Sequence, residues 1–519
     1  MQQFDRRAFL GLAGAAGAGV AAAVAGWSAA PAWATGRLPD NPFTLGVASG
    51  DPLPDGVVLW TRLAPEPLAA DGLGGMPQHV VPVRWEVAED PRFRHVVRRG
   101  VELATPELGH SVHAEVSGLR SDREYFYRFR AGTEISPVGR TRTAPAFRDL
   151  PRSLAFAFVS CQNFPTGHFT PYRHMLDEDL DLVVHLGDYI YEGPAAGTIG
   201  RAHLPAAEIF SLADYRVRHA QYKTDPDLQA AHGRFPWAVT WDDHEVENNY
   251  ADENSEDAAQ SPESFLTRRA AAYQAYYEHL PLRRSALPHG PDMRLYRRLR
   301  YGRLAEFNIL DGRQYRDDQV PPGSPEADDP TRSMLGAEQE KWLLEGLTAS
   351  RATWNILAQQ TVMARADRDP GPGEQLSDDN WNGYEPARQR IFDAVAGRNV
   401  DNMVVVTGDA HCSMVADLKQ NFDDQNSRTV GTEFLGTSIS SGADGADMDA
   451  RGREWLASNP HMRYYNQRRG YVRCTVGRDE WRSDYRVVPY VTTPGASVST
   501  DASFVVENGR PGVQTDTLS

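Results

Sequence analysis

The 519-residue sequence predicts an α/β layered domain preceded by an all-β segment. Three observations predict it. Residues 40–145 alternate apolar and polar side chains between Gly, Pro and Asp breaks. From about 150 onward, short apolar runs alternate with segments of helical period. Four of those runs stop at residues able to hold a metal: LAFAFVS at Cys161, LDLVVHLG at Asp188 with Tyr191 three residues on, FPWAVTW at Asp242, Asp243 and His244, and NMVVVTG at Asp409 and His411. Such runs read as buried parallel strands, and ligands in open α/β sheets bind beyond the carboxyl ends of the strands. The four clusters are therefore expected together on one edge of one sheet.

In chain order, the N-terminus reads as targeting rather than fold. Arg6-Arg7 precede an uncharged Ala/Gly-rich stretch that runs to Ala34 and ends in the A-x-A pattern Ala32-Trp33-Ala34. The pattern resembles a twin-arginine signal over residues 1–34, which implies export of a folded chain to the outside or the cell wall. An uncleaved anchor is the alternative; the glycines and the cleavage site speak against it. No stable membrane span is expected in the mature chain. A formal net charge of −16 argues against nucleic acid and anionic membranes as bulk partners. Three cysteines in an exported chain leave at least one unpaired. Cys161 stands at a strand end as a candidate thiolate ligand, whereas Cys412 and Cys474 are expected in the core.

Residues 40–145 carry the strand candidates VVLWTRL, VRWEVAE, HSVHAEVSGL and EYFYRFRAG, and TRTAPAFRDLPRS reads as a linker. GLRSDREYFYRF resembles the Leu…Tyr-x-Tyr corner of fibronectin-like sandwiches. Across 150–490, helices are predicted over PESFLTRRAAAYQAYYEHL, GAEQEKWLLEGL and EPARQRIFDAVAG, with further strands at RLAEFNIL and TWNILAQQ. Residues 317–332 and 366–384 are polar loops long enough to be functional. The tail 491–519 is polar, and is expected either disordered or folded across the site.

Gly187-Asp188-x-x-Tyr191 places a carboxylate and a phenol one helical turn apart after a sharp turn; an N-cap Asp and a packed Tyr are the plain alternative. Trp241-Asp242-Asp243-His244-Glu245 is dense in ligand types, and spacing alone does not choose between Asp242 and Asp243. His244 has the ordinary pKa of a proton donor to a leaving oxygen. Asn248 is read as a ligand or a cap. Asp409 and His411 point the same way on an extended chain. Arg313, after another strand, is a candidate bidentate phosphate clamp, with a surface ion pair as the alternative. Asn163 and His168 are candidate substrate contacts. The Gly436–Gly442 stretch is a polar loop near the same edge and lacks the ending of a phosphate-binding Walker loop.

In their order, these motifs resemble the purple acid phosphatase branch of the calcineurin-like metallophosphoesterases. The twin-arginine pattern, FTLGVASGDP, SCQN, WDDHE and EFLGTSISSG resemble more closely the bacterial alkaline phosphatase D family. The resemblance implies an α/β (α+β sandwich) metallophosphoesterase domain behind the β-sandwich. It implies a ferric ion held by Cys161, Asp188, Tyr191 and His411, and a calcium ion held by bridging Asp188, Asp243 and Asp409, with Asn248 as a further candidate. Carboxylates at the second position suit calcium. The implied activity is a secreted phosphatase and phosphodiesterase in which a metal-bound hydroxide attacks phosphate mono- and diesters. A phospholipase D acting on phospholipids is the alternative on the same scaffold.

Overall fold

The computed structural model describes residues 41–398 and 400–518. The expected targeting segment lies outside these residues. Among the described residues no helix is long and apolar enough to cross a membrane.

Two mixed sheets face one another. The first has ten strands, in the order Thr515–Leu518, Ser499–Glu507, Glu480–Val488, Arg469–Gly477, Ser153–Val159, Leu182–His185, Pro236–Val239, Val47–Leu53, Gly56–Arg62 and Ser111–Val116. The second has seven, in the order Arg297–Tyr301, Ala305–Ile309, Trp354–Ala358, Met403–Thr407, Thr429–Leu435, Ser413–Lys419 and Met462–Asn466. Successive side chains on a strand face opposite ways, and here both faces are apolar. Phe156, Phe158, Leu182 and Val184 point inward and meet Phe307, Ile356, Val404 and Val406 of the second sheet. Phe156 and Phe307 meet edge to face, with ring centroids 5.1 Å apart. The alternate residues Ala157, Val159 and Val183 point outward to a layer holding helices Leu212–Lys223, Pro226–Arg234 and Pro262–His279. Met403 and Val405 likewise face Gly336–Ala349 and Glu385–Arg398. Burial on both faces is why these strands read as unbroken apolar runs.

Three expectations are corrected. The four ligand-bearing strands do not share a sheet: Ser153–Val159, Leu182–His185 and Pro236–Val239 pair in the ten-stranded sheet, while Met403–Thr407 lies in the seven-stranded one. Periodicity reports how a strand is buried and not which sheet it joins. The N-terminal β segment is not closed on itself either. Val81–Ala88, Val96–Ala104, Glu124–Ala131, Glu134–Ile135 and Gly139–Arg142 form a separate five-stranded sheet. Val47–Leu53 instead pairs in parallel with Pro236–Val239, so three N-terminal strands extend the ten-stranded sheet. Nor is the C-terminal tail disordered or laid over the site. Ser499–Glu507 pairs with Glu480–Val488, and Thr515–Leu518 closes that edge.

The three predicted helices form as Pro262–His279, Gly336–Ala349 and Glu385–Arg398. Ser261 caps the first by accepting the Ser264 N–H, with Pro262 opening the helix. Helix Leu212–Lys223 was not legible from apolar period, because Arg216, Arg218, His219, Gln221 and Lys223 are themselves buried. Its start carries a capping box, Ser211 with Asp214.

Candidate metal centre

The ends of the two sheets converge. Ser160 bridges to Ser438 in parallel register at this end. A Cβ on Gly408 would lie 2.7 Å from that of Ser160, and a Cβ on Gly187 would lie 2.4 Å from that of Asp242. Glycine is therefore required at both points for the strand ends to abut. Beyond them the chain turns through left-handed backbone at Cys161 (φ 58°), Asp188 (φ 56°), Asp409 (φ 64°) and His411 (φ 54°). Non-glycine residues pay about 1–3 kcal/mol each for such conformations, which collect at functional sites.

Three overlapping groups of donor atoms result, in each of which the atoms lie within 4.8 Å of one another: Cys161, Asp188 and His411; Asp188, Asp243 and His244; and Asp242, Asp243 and Asp409. Asp188 belongs to two of them. The Tyr191 hydroxyl joins the first group, 2.8 Å from Asp188 Oδ2 and 3.0 Å from His411 Nε2. Ser441 Oγ sits 2.7 Å from that hydroxyl and 2.8 Å from the Cys161 carbonyl, and accepts the Asn163 N–H.

Burial and the Asp188 carboxylate push the Cys161 thiol up. Burial, Asp188 and Cys161 do the same to the Tyr191 phenol. In the carboxylate groups, burial raises Asp409 to about 8, with Asp379, Asp243 and Asp188 adding to it against Arg313. Burial also raises Asp242, with Asp243 and Asp409 adding to it, although Arg313 Nε donates to its Oδ1. Asp243 goes the other way. Burial is overcome by Arg313, His244 and the backbone N–H of Asn249, 2.7 Å from Oδ2, which hold it well below the usual carboxylate range. His244 is also pushed up despite burial, because its Nδ1 lies 2.7 Å from Glu192 Oε2 and Asp243 and Asp188 are close by.

Among the sequence-predicted residues, the structure gathers Cys161, Asp188, Tyr191, Asp242, Asp243, His244, Asp409 and His411. Asn248 is turned away: its side-chain amide donates to Glu256 at the surface, 2.6 Å away, while its backbone N–H binds Glu192. Arg313 is at the centre but not free as a bidentate clamp. It is buried, with Nε on Asp242 and Nη1 on Asp379; only Nη2 has no hydrogen bond, 3.7 Å from Asp243 and 3.8 Å from Asp409. Four acids close around it because the long loop brings in Asp379, which also binds Arg316. His168 hydrogen-bonds the Val491 carbonyl through its backbone and Arg201 through its ring, and none of these bonds reaches the donor groups. Asn163 lies beside Ser441, its Oδ1 buried without a partner. Cys412 and Cys474 are free and buried, as expected.

Sequence reasoning passed over Glu192, Ser441 and Asp379. Glu192 directly follows Tyr191 and Ser441 lies in the noted polar loop, so their positions were visible but not their reach. Nothing local marks Asp379.

A family model described as PhoD-like phosphatase matches residues 156–485, and one described as PhoD-like phosphatase, N-terminal domain, matches residues 28–145. The chain belongs to the PhoD-like phosphatase family and is a hydrolase of phosphoric ester bonds. It is 51% identical to alkaline phosphatase D of Bacillus subtilis (strain 168), over 98% of this chain and 89% of that one. A solved structure of PhoD superimposes with a TM-score of 0.89 at 52% identity, covering 92% of this chain and 93% of that one.

Proposed function

We propose that the chain is an exported, metal-dependent phosphatase and phosphodiesterase acting on small phosphate mono- and diesters, with activity at alkaline pH. The observation that carries the proposal is the chain of shared carboxylates: Asp188 joins the Cys161 and His411 group to Asp243 and His244, and Asp243 joins that group to Asp242 and Asp409. Cys161, Asp188, Tyr191 and His411 suit a ferric ion, and Asp188, Asp243 and Asp409 suit calcium. Asp242 serves Arg313. Asp188 Oδ1 and Asp242 Oδ2 are buried without a hydrogen-bond partner, so the pocket holds acceptor capacity that a cation would use. When bound, the cations supply a water nucleophile of lowered pKa and positive charge beside the phosphoryl oxygens.

The chain's own groups complete the chemistry. Glu192 fixes the His244 ring through Nδ1, which leaves Nε2 to hold a proton for the leaving oxygen. Arg313, buried among the carboxylates, offsets their charge. No serine or cysteine nucleophile is needed. The Arg6-Arg7 pattern and the Ala34 cleavage site support twin-arginine export.

Hydrolysis of p-nitrophenyl phosphate and bis-p-nitrophenyl phosphate in heavy-oxygen water tests the reading. EDTA-sensitive turnover with one labelled oxygen entering the phosphoryl product, none entering p-nitrophenol, and no phosphoprotein is expected. A trapped phosphoprotein, or turnover indifferent to chelation, contradicts it. Choline release from phosphatidylcholine in place of phosphate would point to the phospholipase D chemistry.

A further inference from the structure

Glu245 is 1% exposed and lies in the acidic motif, yet none of the three donor groups includes it. Both of its oxygens are turned to backbone. Oε2 accepts the N–H of Asp188 at 3.1 Å and that of Asp242 at 2.8 Å, and Oε1 accepts the N–H of Tyr189. The two segments so joined leave adjacent parallel strands, in register at His185 and Val239. Each begins with a donor-bearing carboxylate, and Asp188 is in left-handed backbone, which needs support from outside its own segment. A carboxylate is the side chain suited to this place, because it presents acceptors only, and three amide donors converge on it. Charge-assisted hydrogen bonds to backbone N–H are about twice as strong as neutral ones.

We propose that Glu245 is a positioning residue that ties the Asp188–Tyr191 segment to the Asp242–Asp243 segment and sets the spacing of the two metal-binding groups independently of the cations. The proposal rests on the two-metal reading above. Outer groups that orient ligands typically change metal affinity about 10- to 100-fold when replaced. Glu245→Gln keeps the shape but turns one acceptor into a donor facing an N–H.

The test compares holoenzyme carrying Glu245→Gln with wild type and with Glu278→Gln. Glu278 is an equally buried carboxylate, paired with Arg216 outside the donor groups. Metal per chain is followed through an EDTA titration, together with kcat and KM for p-nitrophenyl phosphate. Glu245→Gln should release metal at about 10- to 100-fold lower EDTA, with kcat falling, KM little changed and kcat restored by added metal. Glu278→Gln should lower the unfolding temperature and leave the EDTA midpoint in place. A folded Glu245→Gln protein with the wild-type EDTA midpoint and kcat overturns the proposal and leaves the two-metal reading standing. Wild type that binds no metal overturns both. If the variant does not fold, hydrogen exchange on wild type decides. Amides of Asp188, Tyr189 and Asp242 should stay protected after EDTA treatment; loss of protection at these three alone overturns the proposal.

Discussion

On one side of Asp188, no cationic side chain among the described residues is bonded to the side chains of Cys161, Tyr191 or His411; Arg469 donates instead to the His411 carbonyl and the Ser438 hydroxyl. On the other side, Asp242, Asp243 and Asp409 surround the buried guanidinium of Arg313. In the first group burial holds the Cys161 thiol and the Tyr191 phenol protonated, so these two ionise only with a cation to match them. The second holds Asp243 ionised against burial and carries its own counter-charge in Arg313. Two neighbouring groups, linked through Asp188 and Asp243, thus differ in where their compensating charge comes from: a metal in one, the chain in the other.

The largest expected effect is at the shared residue. Asp188→Ala should lower kcat/KM for p-nitrophenyl phosphate about 10³-fold, or ~4 kcal/mol. Activity within tenfold of wild type would break the comparison, since neither group could then depend on Asp188.

Next is the resident counter-charge. Arg313→Leu leaves Asp242 buried without its partner, while Asp379 keeps Arg316, and should cost about 3–5 kcal/mol of stability, read from denaturant unfolding of the metal-free protein. An unchanged midpoint would mean that the second group also relies on metal for its balance.

Acid sensitivity should sit apart from both groups. His185, His219, His232 and His279 are buried behind Tyr189, close to Lys223 and Arg62. Burial, with Lys223 adding to it, lowers His185 to about 3; burial also lowers His219, with Lys223, Arg62 and Arg218 adding to it. A histidine kept neutral in the folded chain gains its proton only in the unfolded chain below its ordinary pKa. Its stabilising effect is therefore full above about pH 6.5 and is lost as pH falls, at ~1.4 kcal/mol per unit for each group. His219→Leu should shrink the stability difference between pH 8 and pH 5 by ~2 kcal/mol in the metal-loaded protein. An unchanged difference would assign the acid sensitivity to the centre itself.

The smallest effect falls on Asn248. Its amide binds Glu256 at the surface, so Asn248→Ala should change stability by no more than about 0.5 kcal/mol and leave the metal content alone. Loss of a metal would restore it as a ligand.

The four strand ends and most of the donor residues were legible in the sequence, because a doubly buried strand is an unbroken apolar run and the donors follow within a few residues. The sheet assignment was not legible. Val404 and Val406 face Phe156 and Phe158 across the core, and an apolar run looks alike in either sheet. The roles of Asp242 and Arg313 were hidden for a different reason. Asp379, 66 residues beyond Arg313, completes the ion cluster, and no local pattern reports a contact at that separation. Helix Leu212–Lys223 escaped because Arg216, Arg218, His219, Gln221 and Lys223 interrupt its buried apolar residues.

Elemental analysis of wild type and Cys161→Ala, purified without a metal-affinity tag, tests the central claim most directly. The account predicts iron and calcium in wild type, and iron lost with calcium kept in Cys161→Ala. Parallel loss of both metals, or iron retained without the thiol, would contradict two groups with separate sources of compensating charge.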